Sequence, residues 1–232
     1  MARGPRARDF RVIRVGIADS GIDGAARAHV VAVADFLPGR PTGTAATDAH
    51  DRHGHGSAVA AIIAATAGVA LLSARIYGDT LRTDATAAAA AIDWLTAQGA
   101  RLINLSFGTT EDRQALREAC ARAVARRILV VAAAPARGRR VFPAGYPGVV
   151  RATGDARCAP GEISWLAAPH ADFGGCVRWG FGKAAGASAG CAQVTAALAA
   201  CLARSPDADN DAVLADLRAG AAYRGLECRA RG

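Results

Sequence analysis

Short apolar and β-branched runs alternate with alanine-rich stretches along nearly the whole chain. Runs at 11–18, 29–36, 70–77, 101–107, 128–134 and 148–153 predict strands. Several are apolar on both faces, as strands buried inside a parallel sheet are. Helical periodicity fills the gaps at 57–67, 85–98 and 111–127, and the last of these opens on Glu111 and Asp112 and closes on Arg126 and Arg127, in the sense the helix dipole favours. Two more helices are predicted at 189–204 and 209–219, the second introduced by Pro206 and aspartates able to cap it. Strand, helix, strand in repetition predicts an α/β fold with a mostly parallel central sheet and helices on both faces. No repeat, linker or composition break marks a boundary, so residues 10–232 are expected to form one domain behind a disordered, arginine-rich tail at 1–9.

Composition narrows the class. A chain of 232 residues suits one large α/β domain and is short for two. With 52% hydrophobic and 21% charged residues it lies outside the disordered class. No run of 18 apolar residues occurs and the basic start has no apolar segment behind it, so neither a transmembrane helix nor a secretory signal is expected. The six cysteines include no CxxC pair, which predicts buried thiols in a reducing, cytoplasmic setting; Cys158 and Cys176 are expected to stay unbridged. The net charge of +8 fits a nucleic-acid partner, an acidic peptide or plain compositional bias. The arginines are dispersed and no aromatic residues interleave with them as base-stacking platforms, which argues against nucleic acid.

Ligands of open α/β sheets bind at the carboxyl ends of strands, and three segments there carry chemistry. Asp19 ends an apolar strand and is followed by Ser20-Gly21; it can accept a hydrogen bond from an imidazole, or simply cap a turn. His53-Gly54-His55-Gly56-Ser57 runs into an alanine-rich helix, and the glycines beside His55 leave room for a substrate backbone. A metal site is the alternative, since His50, Asp51, His53 and His55 crowd together, although His29 and His170 lack ligand-like spacing. Gly186-Ala187-Ser188-Ala189-Gly190 places a serine at a helix N-terminus, where backbone N–H groups favour negative charge, or a plain N-cap. That GxSxG pattern also matches the nucleophile elbow of α/β-hydrolases, whose order is serine, acid, histidine; here it is Asp19, His55, Ser188.

Aspartate, histidine, serine is the order of subtilisin, and the chain resembles the subtilases. Asp19-Ser20-Gly21, His55-Gly56-Ser57-Ala58-Val59-Ala60 and Gly186-Ala187-Ser188 are similar to that family's three motifs. Residues 103–108 resemble the strand lining its substrate cleft, 130–134 the strand leading to its oxyanion site, and 142–147 the proline-rich turn that follows. The likeness runs from about residue 11 to 204 and implies a subtilisin-like three-layer fold. It also implies a serine endopeptidase, with Ser188 as nucleophile, His55 as general base, Asp19 orienting the imidazole and the Ser188 backbone N–H facing the oxyanion. Substrate would lie along Leu105, Ser106, Phe107 and Gly108 on one side and Ala133, Ala134 and Pro135 on the other, with Phe107 and Pro135 shaping the walls. No cofactor or metal is expected, because residues 65–69 lack the oxygen-rich loop that family members use for calcium.

The departures shape the expected biology. The family's oxyanion asparagine is replaced by Ala136, after Pro135. Losing such a donor in a subtilisin costs about 10²- to 10³-fold in kcat. Arg137, Arg139 and Arg140 are the nearest replacement donors in sequence. The serine motif carries Ala187, Ala189 and Ala192 where the family usually has threonine, methionine and proline. A strand starting near residue 11 is read as leaving no room for a pro-domain. This profile is similar to dedicated maturation proteases, in particular those that cleave the leader from the small cross-linked subunit of quinohemoprotein amine dehydrogenase after a radical-SAM enzyme has modified it. The partners implied are a leader-bearing precursor and its modifying enzyme, with no nucleic acid and no membrane; the three arginines would steer an acidic leader. A catalytically impaired pseudoprotease acting as a peptide-binding module is the alternative. His170 is expected at the surface or in packing, and Cys191 in the core.

Overall fold

A computed structural model of the chain describes residues 12–38, 44–45, 50–178 and 184–226. The described strands are β1 (Ile13–Asp19), β2 (Val30–Asp35), β3 (Thr44–Ala45), β4 (Val69–Arg75), β5 (Leu102–Leu105), β6 (Leu129–Ala133), β7 (Val150–Asp155), β8 (Ile163–Trp165), β9 (Phe173–Cys176) and β10 (Tyr223–Arg224). They form one sheet in the order β10-β8-β9-β7-β6-β5-β1-β4-β2-β3. Only β2 with β3 and β8 with β9 run antiparallel; the other neighbours are parallel.

Alternation along the central strands divides the core into two layers. Val15, Ile17, Leu71, Leu102, Leu129 and Val131 face α1 (His55–Ala64), α4 (Gly186–Arg204) and α5 (Asn210–Ala219). Their neighbours Ala18, Leu72, Ile103, Val130 and Ala132 face α2 (Ala85–Ala97) and α3 (Gln114–Ala125). Both faces of these strands are therefore buried, which is why the strands read as unbroken apolar runs. Helix α4 has the length and apolarity of a membrane span, and most of it is buried inside the protein as a core helix. Five cysteines, Cys120, Cys158, Cys176, Cys191 and Cys201, are buried free thiols.

The structure corrects several predicted boundaries. Helix α3 begins at Gln114, and its first turn holds no acid. Asp112 instead takes a two-point ion pair from Arg117 (3.1 and 2.6 Å), and Glu111 pairs with Arg113, so both acids serve as loop anchors ahead of the helix. Helices α1 and α4 start two and three residues earlier than predicted, at His55 and Gly186. The short strands β3, β8, β9 and β10 were not predicted. The tail at 1–9 lies outside the described residues.

Strand order reverses between β1 and β5: the chain moves outward from β1 to β2 and β3, returns to β4 beside β1, then crosses to β5 on the other side of β1. Such a switch point leaves a crevice at the strands' carboxyl ends, where Asp19 closes β1 and Ser106 follows β5.

Candidate active site

Asp19 is the last residue of β1 and only 2% exposed. Its carboxylate accepts the Ser20 N–H at 2.8 Å and faces the His55 Nδ1 with both oxygens, at 2.8 and 3.0 Å. His55 is the first residue of α1, so the helix fixes its ring. Gly54 precedes it at φ 76°, a left-handed conformation suited to glycine. A side chain at Gly56 would put its Cβ 2.2 Å from the Gly21 carbonyl oxygen, so glycine there lets the helix rest directly on the turn after β1.

The clamp that holds this helix start is Asp51. Its carboxylate accepts N–H groups from His53 (3.0 Å), Gly54 (2.8 Å) and Ser57 (2.7 Å), and the Ser20 hydroxyl at 2.7 Å. The Ser20 hydroxyl in turn accepts the Gly56 N–H at 3.0 Å. Burial works to raise the Asp51 pKa, but hydrogen bonds from Ser57, Ser20 and Gly54 outweigh it and hold the group below the usual carboxylate range. Asp51 thus caps α1 from outside and starts the helix earlier than its alanines alone predict. The crowded histidines go to separate partners: His53 Nε2 lies 2.9 Å from the Gly78 carbonyl and His50 Nδ1 lies 3.3 Å from Asp23. No group of three metal-ligating side chains occurs among the described residues.

The hydrogen bond to Asp19 raises the His55 pKa above 6.5, burial opposes it, and the charges of Asp19 and Asp51 add to the rise. A general base works in its neutral form, so the rate should climb as pH rises through this value. The expected kcat/KM profile has an acid limb with a midpoint above 6.5, and Asp51→Asn moves that midpoint down; an unmoved midpoint removes Asp51 from the site's electrostatics. The sign for folding is opposite. Protonated His55 beside Asp19 contributes stability that is complete below about 6.5 and lost as pH rises through the folded value.

Ser188 is the third residue of α4, inside the first turn, where backbone N–H groups have no partner within the helix. Its hydroxyl donates to the Ser106 carbonyl at 3.2 Å. Beneath it a buried network joins β5 to α4. Asn104 donates to the Ser106 hydroxyl (2.9 Å) and accepts from Thr195 (2.9 Å) and from the Cys191 thiol (3.3 Å). Burial pushes that thiol up to about 12, so Cys191 packs and does not react. A Cβ at Gly190 would sit 2.0 Å from the Thr153 carbonyl oxygen, so only glycine lets α4 lie this close to β7.

Of the expected substrate walls, Leu105, Ala133 and Ala134 are buried, and so is Ser106, through its place in the Asn104 network. Phe107 and Pro135 are partly exposed, and Gly108 and Ala136 are exposed. Thr109 and Phe142 exchange backbone hydrogen bonds of 2.8 Å in both directions, and Val141 packs against Gly108. Ala136 presents only a methyl group. Of its three candidate substitutes, Arg140 donates to the Gly145 carbonyl and lies over the Phe142 ring, which turns it away from the oxyanion role. Arg139 lines one cleft and Arg137 a smaller cavity together with Ala136, Thr153 and Gly154; Ser188 lines neither. Arg137 is the candidate that stays beside Ala136. His170 is partly exposed and borders both cavities.

Comparison with known proteins places this geometry in context. The subtilase family model, peptidase S8, matches residues 11–153. Subtilisin DY of Bacillus licheniformis is 32% identical over 158 residues, covering 60% of this chain and 54% of its own length. Alkaline elastase YaB of Bacillus sp. (strain YaB) is 30% identical over 146 residues, covering 58% of this chain and 37% of its own length. The matches thus span about half, or less, of these relatives. Among solved structures, the S41 psychrophilic protease superposes with a TM-score of 0.69 at 20% identity, over 90% of this chain and 83% of that one. The nisin leader peptidase NisP of Lactococcus lactis gives 0.66 at 18%, over 88% and 81%. The epidermin leader peptide processing serine protease EpiP of Staphylococcus aureus gives 0.64 at 18%, over 87% and 68%. The sequence match across most of the chain, on a sheet whose switch point joins Asp19 to His55 and Ser188 to Ser106, makes this chain a member of the subtilase family.

Proposed function

We propose that the chain is a serine endopeptidase working in the cytoplasm, and that it removes a leader peptide from a modified precursor such as the small cross-linked subunit of quinohemoprotein amine dehydrogenase. The observation that carries the catalytic reading is the buried Asp19 carboxylate facing the His55 Nδ1 with both oxygens. With Nδ1–H committed to Asp19, Nε2 is the free basic nitrogen. Ser188 Oγ attacks the scissile carbonyl and loses its proton to Nε2; the C–N bond breaks as that proton passes to the leaving amine; water then opens the acyl-enzyme by the same route. A peptide strand laid along 106–108 competes for the Ser106 carbonyl and releases the Ser188 hydroxyl toward His55.

Two observations support the narrow substrate. The missing side-chain donor at Ala136 fits a slow enzyme tied to one precursor better than a general digester. NisP and EpiP, which share the fold, are leader peptide proteases by name. The buried free thiols support the reducing compartment. Ala136 also favours a second reading, a peptide-binding pseudoprotease.

A fluorophosphonate probe separates the two. The expected result is a single adduct on Ser188, located by mass spectrometry and absent in Ser188→Ala. A protein that binds peptides and stays unlabelled with its presumed precursor present is a binding module.

A further inference from the structure

The 135–141 loop, which follows the expected substrate wall, carries three arginines. Arg137 and Arg139 are exposed and have no carboxylate partner among the described residues. Arg140 donates to a carbonyl oxygen, lies over an aromatic face and acts electrostatically on Asp112. By contrast Arg75, Arg117, Arg122 and Arg204 each hold an aspartate. Arg139 and Arg140 border a cleft of about 720 Å³ whose far wall is Arg151, His170 and Asp172. That wall is rigid: Arg151 grips Asp172 through Nε (3.2 Å) and its backbone N–H (2.9 Å), and donates to the Pro169 carbonyl at 2.6 Å. Asp172 is thereby spent on Arg151, and the cleft keeps the charge of Arg139. Pro135, at the end of the expected substrate wall, also lines it.

We infer that this cleft is an accessory binding site for an acidic segment of the polypeptide substrate. This rests on the peptidase reading only for the identity of the occupant as a peptide. The volume accommodates a few residues, and the exposed Arg139 guanidinium matches a carboxylate in charge and in fork geometry. Nucleic acid fits poorly: Tyr146 is the sole aromatic lining residue, 5% exposed, with its ring 4.8 Å from that of Phe142, so no stacking platform faces the cleft. Such a site acts on affinity and capture rate, as charge at an interface rim does.

The test uses the full chain carrying Ser188→Ala, so that binding is read without turnover and a failure of the peptidase reading leaves the result interpretable. A fluorescein-labelled glutamate-rich peptide, its glutamine counterpart and a single-stranded oligonucleotide of equal charge are titrated by anisotropy. The glutamate peptide is expected to bind, the glutamine peptide to bind at least about tenfold more weakly, and Arg139→Glu to weaken the glutamate peptide by about tenfold. Arg137→Glu, on the other face of the loop, is expected to cost less. Both side chains are exposed and unpaired, so these variants keep the fold. Equal binding of the two peptides, an unaffected Arg139→Glu variant, or tighter binding of the oligonucleotide overturns the inference.

Discussion

Asp19→Asn lowers kcat by about 10⁴-fold while leaving the fold in place. The buried carboxylate faces His55 Nδ1 with both oxygens and accepts the Ser20 N–H. An asparagine is close to it in shape, so packing around β1 is kept. What changes is the proton. The amide nitrogen is a donor, and when it faces Nδ1 it selects the tautomer whose proton sits on Nε2, which then cannot accept the Ser188 proton. The variant should also lose much of the upward shift of the His55 pKa, since the hydrogen bond to Asp19 is its first cause. Steady-state cleavage and a titration of His55 by NMR read the two consequences separately. A loss below about tenfold, with the imidazole still titrating as in the parent, would falsify the pairing as catalytic.

The parts of this site legible in the sequence were those fixed by local pattern. Asp19 ends an apolar run, His55 opens an alanine-rich helix and Ser188 opens another, so each sits where a strand or helix end can be read from residue types. The support around them was not legible, because it is made by contacts between distant segments. Asp51 reads as a possible metal ligand beside three histidines, yet its oxygens are taken by backbone N–H groups of 53, 54 and 57 and by Ser20. Only the chain's reversal around those groups reveals it as a clamp. The Asp-x-x-Gly-His spacing was the available signal. Asn104 likewise reads as one polar residue in a buried strand, and its value lies in binding Ser106 and, 91 positions away in sequence, Thr195.

The same reasoning explains the missed strands. β9 is Phe-Gly-Gly-Cys, and a Cβ on Gly174 would lie 2.5 Å from the Ser164 hydroxyl. The strand is held by close backbone approach, so it lacks the side-chain alternation that marks a strand in sequence. Leu105 and Ala133 lie in motifs expected to border a cleft, and strand alternation turns their side chains into the two core layers.

Ala136→Asn should raise kcat by about 10²-fold, the reverse of the penalty for deleting such a donor. The developing oxyanion needs donors already aimed at it, and the first turn of α4 supplies backbone N–H groups near Ser188 while Ala136 supplies no side-chain hydrogen. The position is exposed, so the larger side chain meets no core packing. Pro135 restrains the approach, because its ring fixes its own φ near −65° and biases the loop that must present the asparagine. Pro135→Gly combined with Ala136→Asn is therefore expected to exceed the single change. Arg137, which lines the cavity beside Ala136, provides the internal control. If its guanidinium already serves as the second donor, Arg137→Gln alone cuts kcat by about 10²-fold and Ala136→Asn adds little. If Arg137→Gln leaves kcat unchanged and Ala136→Asn raises it, the chain runs with half an oxyanion hole, and its slowness is a property of one methyl group. Each outcome assigns the donor from a rate, with the Ser188 adduct confirming that the same nucleophile is at work.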